Sequence, residues 1–227
     1  MKHNEILGLV GDNGAGKSTL IKIISGALGK DEGEIYFEGK NVKINNPKDA
    51  QKFGIETVYQ NLNLVDTLDP TTNIFLGREI IYGGILKFFH FVNNKQMFKK
   101  TEKLMNKLSI NFDLKKPLLE YSGGQRQAVA IGKATYWNSK IIILDEPTAS
   151  LGVNESRKAL KLIKTLKEKS NISVIIISHN LQHLFSVVDR IMVLRRGKNV
   201  TVQNIHEVTS TDIIKYITGA EEVIERV

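Results

Sequence analysis

The 227-residue chain contains no cysteine. Disulfides, thiolate metal sites and cysteine nucleophiles are therefore excluded, and the composition suits a reducing compartment. Long apolar runs are missing as well. Met1–Glu5 leads at once into a short apolar stretch, and the patch Ile80–Val92 is interrupted by Lys87 and His90. Neither reaches the roughly 18 apolar residues that a spanning helix requires. Acidic residues fall short of basic ones, since 24 Asp and Glu against 32 Lys and Arg leave a net charge of +8. That balance suits nucleic acid, an anionic membrane face or a polyphosphate ligand, and charge alone does not choose among them. No repeat at solenoid periods and no low-complexity tract is present, which argues against a repeat array and against two domains on a linker. What remains is 41% hydrophobic and 25% charged, an ordinary globular composition with enough apolar material for a sizeable core.

The order of elements is legible from periodicity. Ile6–Val10 is a short apolar run, Gly11–Gly16 is glycine-rich, and an apolar-periodic stretch follows from Lys17 to Leu28. Strand, loop and helix are the expected sequence of structures. Further strands are expected at Glu34–Glu38, Ile55–Tyr59, Ile141–Asp145, Ser173–Ser178 and Arg190–Leu194. The middle ones are continuous apolar runs, as in strands buried on both faces of a mostly parallel sheet. Between Thr72 and Trp137 the pattern turns helical, with helices expected at Gln96–Leu108 and Gln125–Trp137. Residues 72–137 therefore read as a helical insertion in an α/β core, and residues 1–227 as a single domain. Asn154–Lys169, Leu181–Val188 and Thr211–Ile217 complete the expected helices.

Three segments carry chemistry. Gly11-Asp12-Asn13-Gly14-Ala15-Gly16-Lys17-Ser18 fits the P-loop pattern, between an expected strand and an expected helix. Its backbone N–H groups and the helix N-terminus suit phosphate oxygens, Lys17 reaches the outer phosphates, and Ser18 can ligate Mg²⁺. Ile141–Leu144 ends in Asp145 and Glu146, placing two carboxylates at the C-terminal edge of a buried strand, where open α/β sheets bind ligands. There Asp145 can hold Mg²⁺ through water while Glu146 orients or deprotonates an attacking water. Tyr121-Ser122-Gly123-Gly124-Gln125 opens a helix and makes a second anion-ready N-terminus. Taken alone, that segment reads equally as a glycine turn with a serine cap.

The P-loop, Gln60 after Ile55–Tyr59, Ser122-Gly123-Gly124-Gln125, Asp145-Glu146-Pro147-Thr148 and Ser178-His179 stand in an order and spacing that resembles the nucleotide-binding domain of ATP-binding cassette (ABC) proteins. The resemblance covers about Glu5 to about Gly197. It implies a P-loop NTPase fold, an ATPase activity with ATP and Mg²⁺, and a head-to-tail pair of domains. In that pair each ATP lies between the P-loop of one chain and Ser122, Gly123, Gly124 and Gln125 of the other. Gly11 to Thr19 would bind the nucleotide, Ser18, Gln60 and Asp145 the metal, and Gln60, Glu146 and His179 would act on the lytic water and the γ-phosphate. Asn73–Glu79, Ser122–Ile131 and Ala149–Val153 further resemble cassettes of monosaccharide importers of the ribose, xylose and fructose type. That implies a second nucleotide-binding domain, in a homodimer, and membrane permease subunits as partners. It further implies an extracytoplasmic sugar-binding protein as an indirect one, and a peripheral place on the cytoplasmic face of the membrane. The segment from the Gln60 loop into the insertion would receive the permease, with Ile80–Val92 close by.

The chain departs from that pattern in places. Cassettes of this kind usually begin with a strand pair bearing an aromatic residue that stacks on adenine, whereas Ile6 stands only five residues before Gly11; the N-terminal strands are expected to be missing. Gly152 replaces a frequent Asp, and Tyr121 a commoner Leu. Competing readings are a DNA-repair or translation ATPase of the same superfamily and a nucleotide-gated binding module. Only about sixty residues separate Gln60 from Ser122, without sustained heptads, so the coiled coil of the repair class has no room and no nucleic-acid partner is expected. A translation factor would carry tandem cassettes. Lys17, Asp145, Glu146 and His179 all stand in place, which argues against a module without hydrolysis.

Overall fold

The computed structural model describes residues 1–83 and 90–220. Eight strands and eight α-helices are assigned among them. The strands are β1 (Ile6–Val10), β2 (Ile35–Phe37), β3 (Lys40–Val42), β4 (Ile55–Val58), β5 (Ile141–Asp145), β6 (Ser173–Ile177), β7 (Arg190–Arg195) and β8 (Lys198–Asn204). The helices are α1 (Lys17–Ile24), α2 (Pro47–Lys52), α3 (Pro70–Phe75), α4 (Asn94–Lys107), α5 (Gly123–Tyr136), α6 (Val153–Ser170), α7 (Leu181–Phe185) and α8 (Ser210–Thr218). Six strands form one sheet in the order β4-β5-β6-β1-β7-β8. All neighbours are parallel except β8, which returns antiparallel along β7. The expected mostly parallel α/β sheet is present, as a P-loop fold.

The apolar runs have a direct structural reason. Side chains alternate across a strand, and here each face has its own core. Ile142 and Leu144 of β5 and Val174 and Ile176 of β6 pack with Leu160, Ile163 and Leu166 of α6. Ile143, Ile175 and Ile177 point the other way, toward Ile21 of α1 and Ala50 of α2. A strand covered on both faces has no use for a polar position. Ile142, Ile143 and Leu144 are fully buried, each contributing about 1.5–3 kcal/mol of transfer free energy. On α6 the residues between these apolar positions include Lys158, Lys161 and Lys164, so its other face is a solvated lysine row.

Several details differ from the sequence expectation. The strand expected at Glu34–Glu38 is β2, which pairs antiparallel with β3 in a separate two-stranded sheet instead of joining the main one. The first helix ends at Ile24 and not Leu28, because Ser25 closes it and the chain turns at Gly26. Helix α7 stops at Phe185, three residues earlier than expected. The elements β3, α2, α3 and β8 carry no strong periodic signal; α3 is only six residues long, nearly all buried, and capped by Asp69, which accepts from Thr72. No strand precedes Ile6 among the described residues.

Helices α3, α4 and α5 lie between β4 and β5 in the chain. Ile74, Phe75, Met97, Met105 and Leu114 form their own apolar cluster, with Tyr136 and Trp137 at its edge. Within the Ile80–Val92 patch, residues 84–89 lie outside the described residues. The flanks Ile81 and Val92 form an isolated antiparallel bridge, leaving Tyr82, Phe91 and Val92 largely exposed. No helix among the described residues is long and apolar enough to cross a membrane.

Candidate nucleotide site

Register decides which loops meet. Leu9 of β1 and Asp145 of β5 both pair with Ile177 of β6, so three strands end at one level of the sheet edge. The P-loop after β1, the Ser178-His179 turn after β6 and Glu146 after β5 emerge side by side there. Strand β4 lies beyond β5, so the Gln60 segment leaves the sheet three strands from the P-loop, roughly 15 Å at the usual strand spacing.

The P-loop is shaped by glycine. Gly16 takes φ 102° as the N-cap of α1, a left-handed conformation that side chains avoid, and it supplies no side-chain cap. The first N–H groups of α1 therefore lack a side-chain acceptor and are open to an anion. Lys17 is buried, and its Nζ donates to the carbonyls of Gly11 at 2.7 Å and Asp12 at 3.0 Å. An ammonium has three donors, so one remains for a phosphate oxygen. Burial pushes the Lys17 pKa down, opposed by Glu146, Asp12 and Asp145, so both acids at the β5 edge act on this lysine.

Glu146 follows β5 in a left-handed conformation, φ 51°, and its N–H donates to the Ile177 carbonyl at 2.9 Å. That backbone tie aims the carboxylate at the β6 turn. Its Oε1 accepts from the His179 N–H at 3.0 Å and lies 3.6 Å from His179 Nε2, while Oε2 faces the Ser178 hydroxyl at 3.4 Å. Burial nevertheless holds the pKa of Glu146 above its ordinary value, with His179 the principal opposing influence. Asp145 is raised in the same way, opposed by Lys17 and His179. Such an environment favours a carboxylate that takes up a proton readily, the property of a general base.

The structure thus brings together Lys17, Asp145, Glu146 and His179. It leaves Gln60 apart. Gln60 is exposed and lines a shallow cleft with Asn61, Asn63, Asp66 and Arg126, and no hydrogen bond or ion pair joins it to the other four among the described residues. The donor set suits a metal that keeps water and phosphate in its shell: no group of three or more His, Cys, Asp or Glu is gathered among the described residues. Ser18 and Asp145 would supply one or two ligands, as Mg²⁺ at a nucleotide requires.

Ser122 to Gln125 stand elsewhere, at the start of α5. Ser122 Oγ accepts from the Gln125 N–H at 3.3 Å and Gln125 Oε1 accepts from the Ser122 N–H at 2.9 Å, a reciprocal capping box. Sequence reasoning named Thr148 within its motif but gave it no role; its hydroxyl lies 3.0 Å from His183 Nδ1 and ties the segment after Glu146 to α7. Sequence reasoning missed Glu155, which meets Ser122 and Gly124 from α6. A capping acid three residues after Gly152 was the only available signal, and its contact with α5 is not written locally.

A family model for ABC transporters matches residues 1–149. The chain is 44% identical over 221 residues to a fructose import ATP-binding protein of Rhizobium meliloti, covering 96% of this chain and 85% of that protein. It is 46% identical over 216 residues to a xylose/arabinose import ATP-binding protein of Sulfolobus acidocaldarius, covering 95% and 83%. Among solved structures it resembles an ABC transporter cassette in its ADP conformation, with a TM-score of 0.78 and 25% identity over 96% of this chain and 89% of that one. It also resembles a dimeric post-hydrolysis cassette bound to ADP and Pi, with a TM-score of 0.70 and 26% identity over 90% and 87%. With its P-loop, sheet order and edge carboxylates in the arrangement described, this chain belongs to the ABC transporter family, as a nucleotide-binding ATPase cassette.

Proposed function

We propose that this cassette is the energy-coupling subunit of an importer for a simple sugar. The observation that carries the coupling role is the meeting of Lys17, Asp145, Glu146 and His179 at one sheet edge, while Ser122–Gln125 open a second anion-ready helix away from it. The sugar class rests on the likeness to fructose and xylose/arabinose import proteins.

In this reading residues 1–227 are one cassette and residues 72–137 a helical unit inserted in its core, supported by the separate apolar cluster of α3, α4 and α5. Gly11 to Thr19 hold the phosphates, and Lys17 neutralises the outer ones. Ser18 and Asp145, joined by Gln60 once it has moved inward, would hold Mg²⁺, which would supply charge neutralisation at the phosphates. Glu146 accepts the proton of the attacking water as the bond to the γ-phosphorus forms and the bridging oxygen leaves with ADP. His179 orients Glu146 and faces the γ-phosphate. Gln60 reaches this centre only by moving inward from its exposed place, which makes it the member through which a partner would act.

Ser122, Gly123, Gly124 and Gln125 serve the nucleotide of a second copy, so two copies pack head to tail, as the dimeric form of a similar cassette suggests. ATP binding closes the pair and hydrolysis reopens it, driving permease subunits in the membrane that are fed by an extracytoplasmic sugar-binding protein. The cassette itself lies peripherally on the cytoplasmic face. The exposed Tyr82 and Val92 beside α4 and the Gln60 cleft suit the permease contact.

Light scattering of the Glu146→Gln protein with and without Mg-ATP tests this reading. A nucleotide-dependent doubling of mass is expected. A protein that stays monomeric at saturating ATP would remove the paired-site mechanism.

A further inference from the structure

The starts of α5 and α6 are packed against each other. Gly124 lies in the first turn of α5 and Glu155 in the first turn of α6. A Cβ on Gly124 would stand 3.0, 3.2 and 3.3 Å from Cβ, Cγ and Cδ of Glu155. Such distances are at or below ordinary contact, so glycine is what lets the glutamate side chain lie against the α5 backbone. Its carboxylate faces the Ser122 hydroxyl and the N–H groups of Gly152 and Gly124, and these neighbours hold its pKa below the ordinary carboxylate value. Ser122 Oγ accepts from the Gln125 N–H at 3.3 Å, and the Glu155 carboxylate stands beside the same hydroxyl. The N-cap of α6, Gly152, has no side-chain cap of its own. Glu155 therefore faces the donors of two helix N-termini at once.

Those α5 donors are the ones assigned above to the nucleotide of a second copy, whose outermost anionic group is the γ-phosphate. Two anions cannot share one serine hydroxyl and one N–H without losing hydrogen bonds and meeting like charge. We infer that Glu155 is an in-chain stand-in for the γ-phosphate, which occupies the Ser122–Gly124 donors in the single cassette and must yield before a second copy can deliver its nucleotide. It rests on the head-to-tail reading, and it gives that reading a threshold. The side chain sits between the segment that follows Glu146 and the start of α5. Its release is therefore also a change in how these two parts of one chain are held together.

The test compares Glu146→Gln with Glu146→Gln/Glu155→Gln by light scattering across an ATP titration with Mg²⁺. Glutamine keeps the shape and one acceptor but removes the charge. The double variant is expected to reach half-maximal dimer at an ATP concentration at least threefold lower. Equilibrium ATP binding to the dilute monomer, a P-loop property, should stay the same. An unchanged or higher threshold overturns the inference. Should Glu155→Gln fail to fold, Glu155→Asp, one methylene shorter, is the second variant, and a threshold no lower than that of Glu146→Gln alone likewise overturns it. If neither Glu146→Gln nor the double variant dimerises at saturating ATP, the paired-site reading is what fails, and the inference falls with it.

Discussion

Two helices of this protein start at or just after a glycine, and the chemistry of their N-termini is opposite. At α1 the cap is Gly16, which offers no side chain, and the adjoining cation Lys17 is folded onto the carbonyls of its own loop. At α5 the first turn is closed by Ser122 and Gln125, and a carboxylate from α6 already stands on it. The first terminus is open and positively charged, and in the proposed function it binds phosphate with groups from one chain. The second is internally satisfied and carries negative charge beside it. An anion gains there only when delivered with enough other contacts to displace what is present. A site of the first kind sets affinity, and one of the second kind sets a condition on assembly.

The sharpest way to break this contrast is at the α1 side. Glu146→Gln removes the base while leaving the loop intact, so steady-state ATP turnover should fall by about 10²–10⁴-fold with ATP affinity retained, as read by phosphate release and equilibrium binding. Lys17→Ala removes the charge that meets the outer phosphates. Nucleotide affinity should drop about 100-fold, the effect of losing a hydrogen bond to a charged group, and ATP-dependent dimerisation should vanish with it.

Gly124→Ala addresses the α5 side. The new methyl meets Glu155 Cβ at 3.0 Å, so α5 and α6 must separate slightly and the donor set is obstructed for either anion. Overpacking of this kind costs about 1–3 kcal/mol. Turnover should fall about tenfold while ATP binding by the dilute monomer is unchanged. Equal loss of both would mean that the two termini are not independent.

The smallest effect is on pH and stability. Burial raises the Glu146 pKa above its ordinary value of 4.5, so the folded protein binds this proton more tightly than the unfolded chain. Stability contributed by the protonated group is complete below 4.5 and is lost as pH rises through the folded pKa. Glu146→Gln should therefore melt at a slightly higher temperature than the parent protein at neutral pH, with the difference closing in acid. The acid limb of turnover, which reports the same carboxylate, should lie above 4.5. An acid limb at the ordinary value would mean that burial does not tune this base.

Much of the α1 side is legible in the chain. A glycine-rich loop between a strand and a helix, and four apolar residues ending in Asp145 and Glu146, are local patterns whose geometry follows from short-range sterics. Elements that lack such a signal were not readable. Strand β8, Lys198–Asn204, is recruited by hydrogen bonding to the edge of β7. Helix α3 is short and buried nearly all round, so it has no amphipathic period. The resemblance assigns Gln60 to the catalytic group; in the fold it follows the outer strand β4 and is exposed.

The sequence by itself determined the class of fold, the glycine-rich loop and the place of the two carboxylates at the end of β5, because each is encoded within a few consecutive residues. Only the tertiary structure decided that β6 runs between β1 and β5, bringing His179 onto Glu146 across 33 positions of chain. It also decided that α6 lays Glu155 on Gly124. The physical reason is the same in both cases. Strand register and helix packing are set by burial of the two apolar faces of the sheet as a whole, and the polar groups at its edge take the neighbours that this burial leaves them.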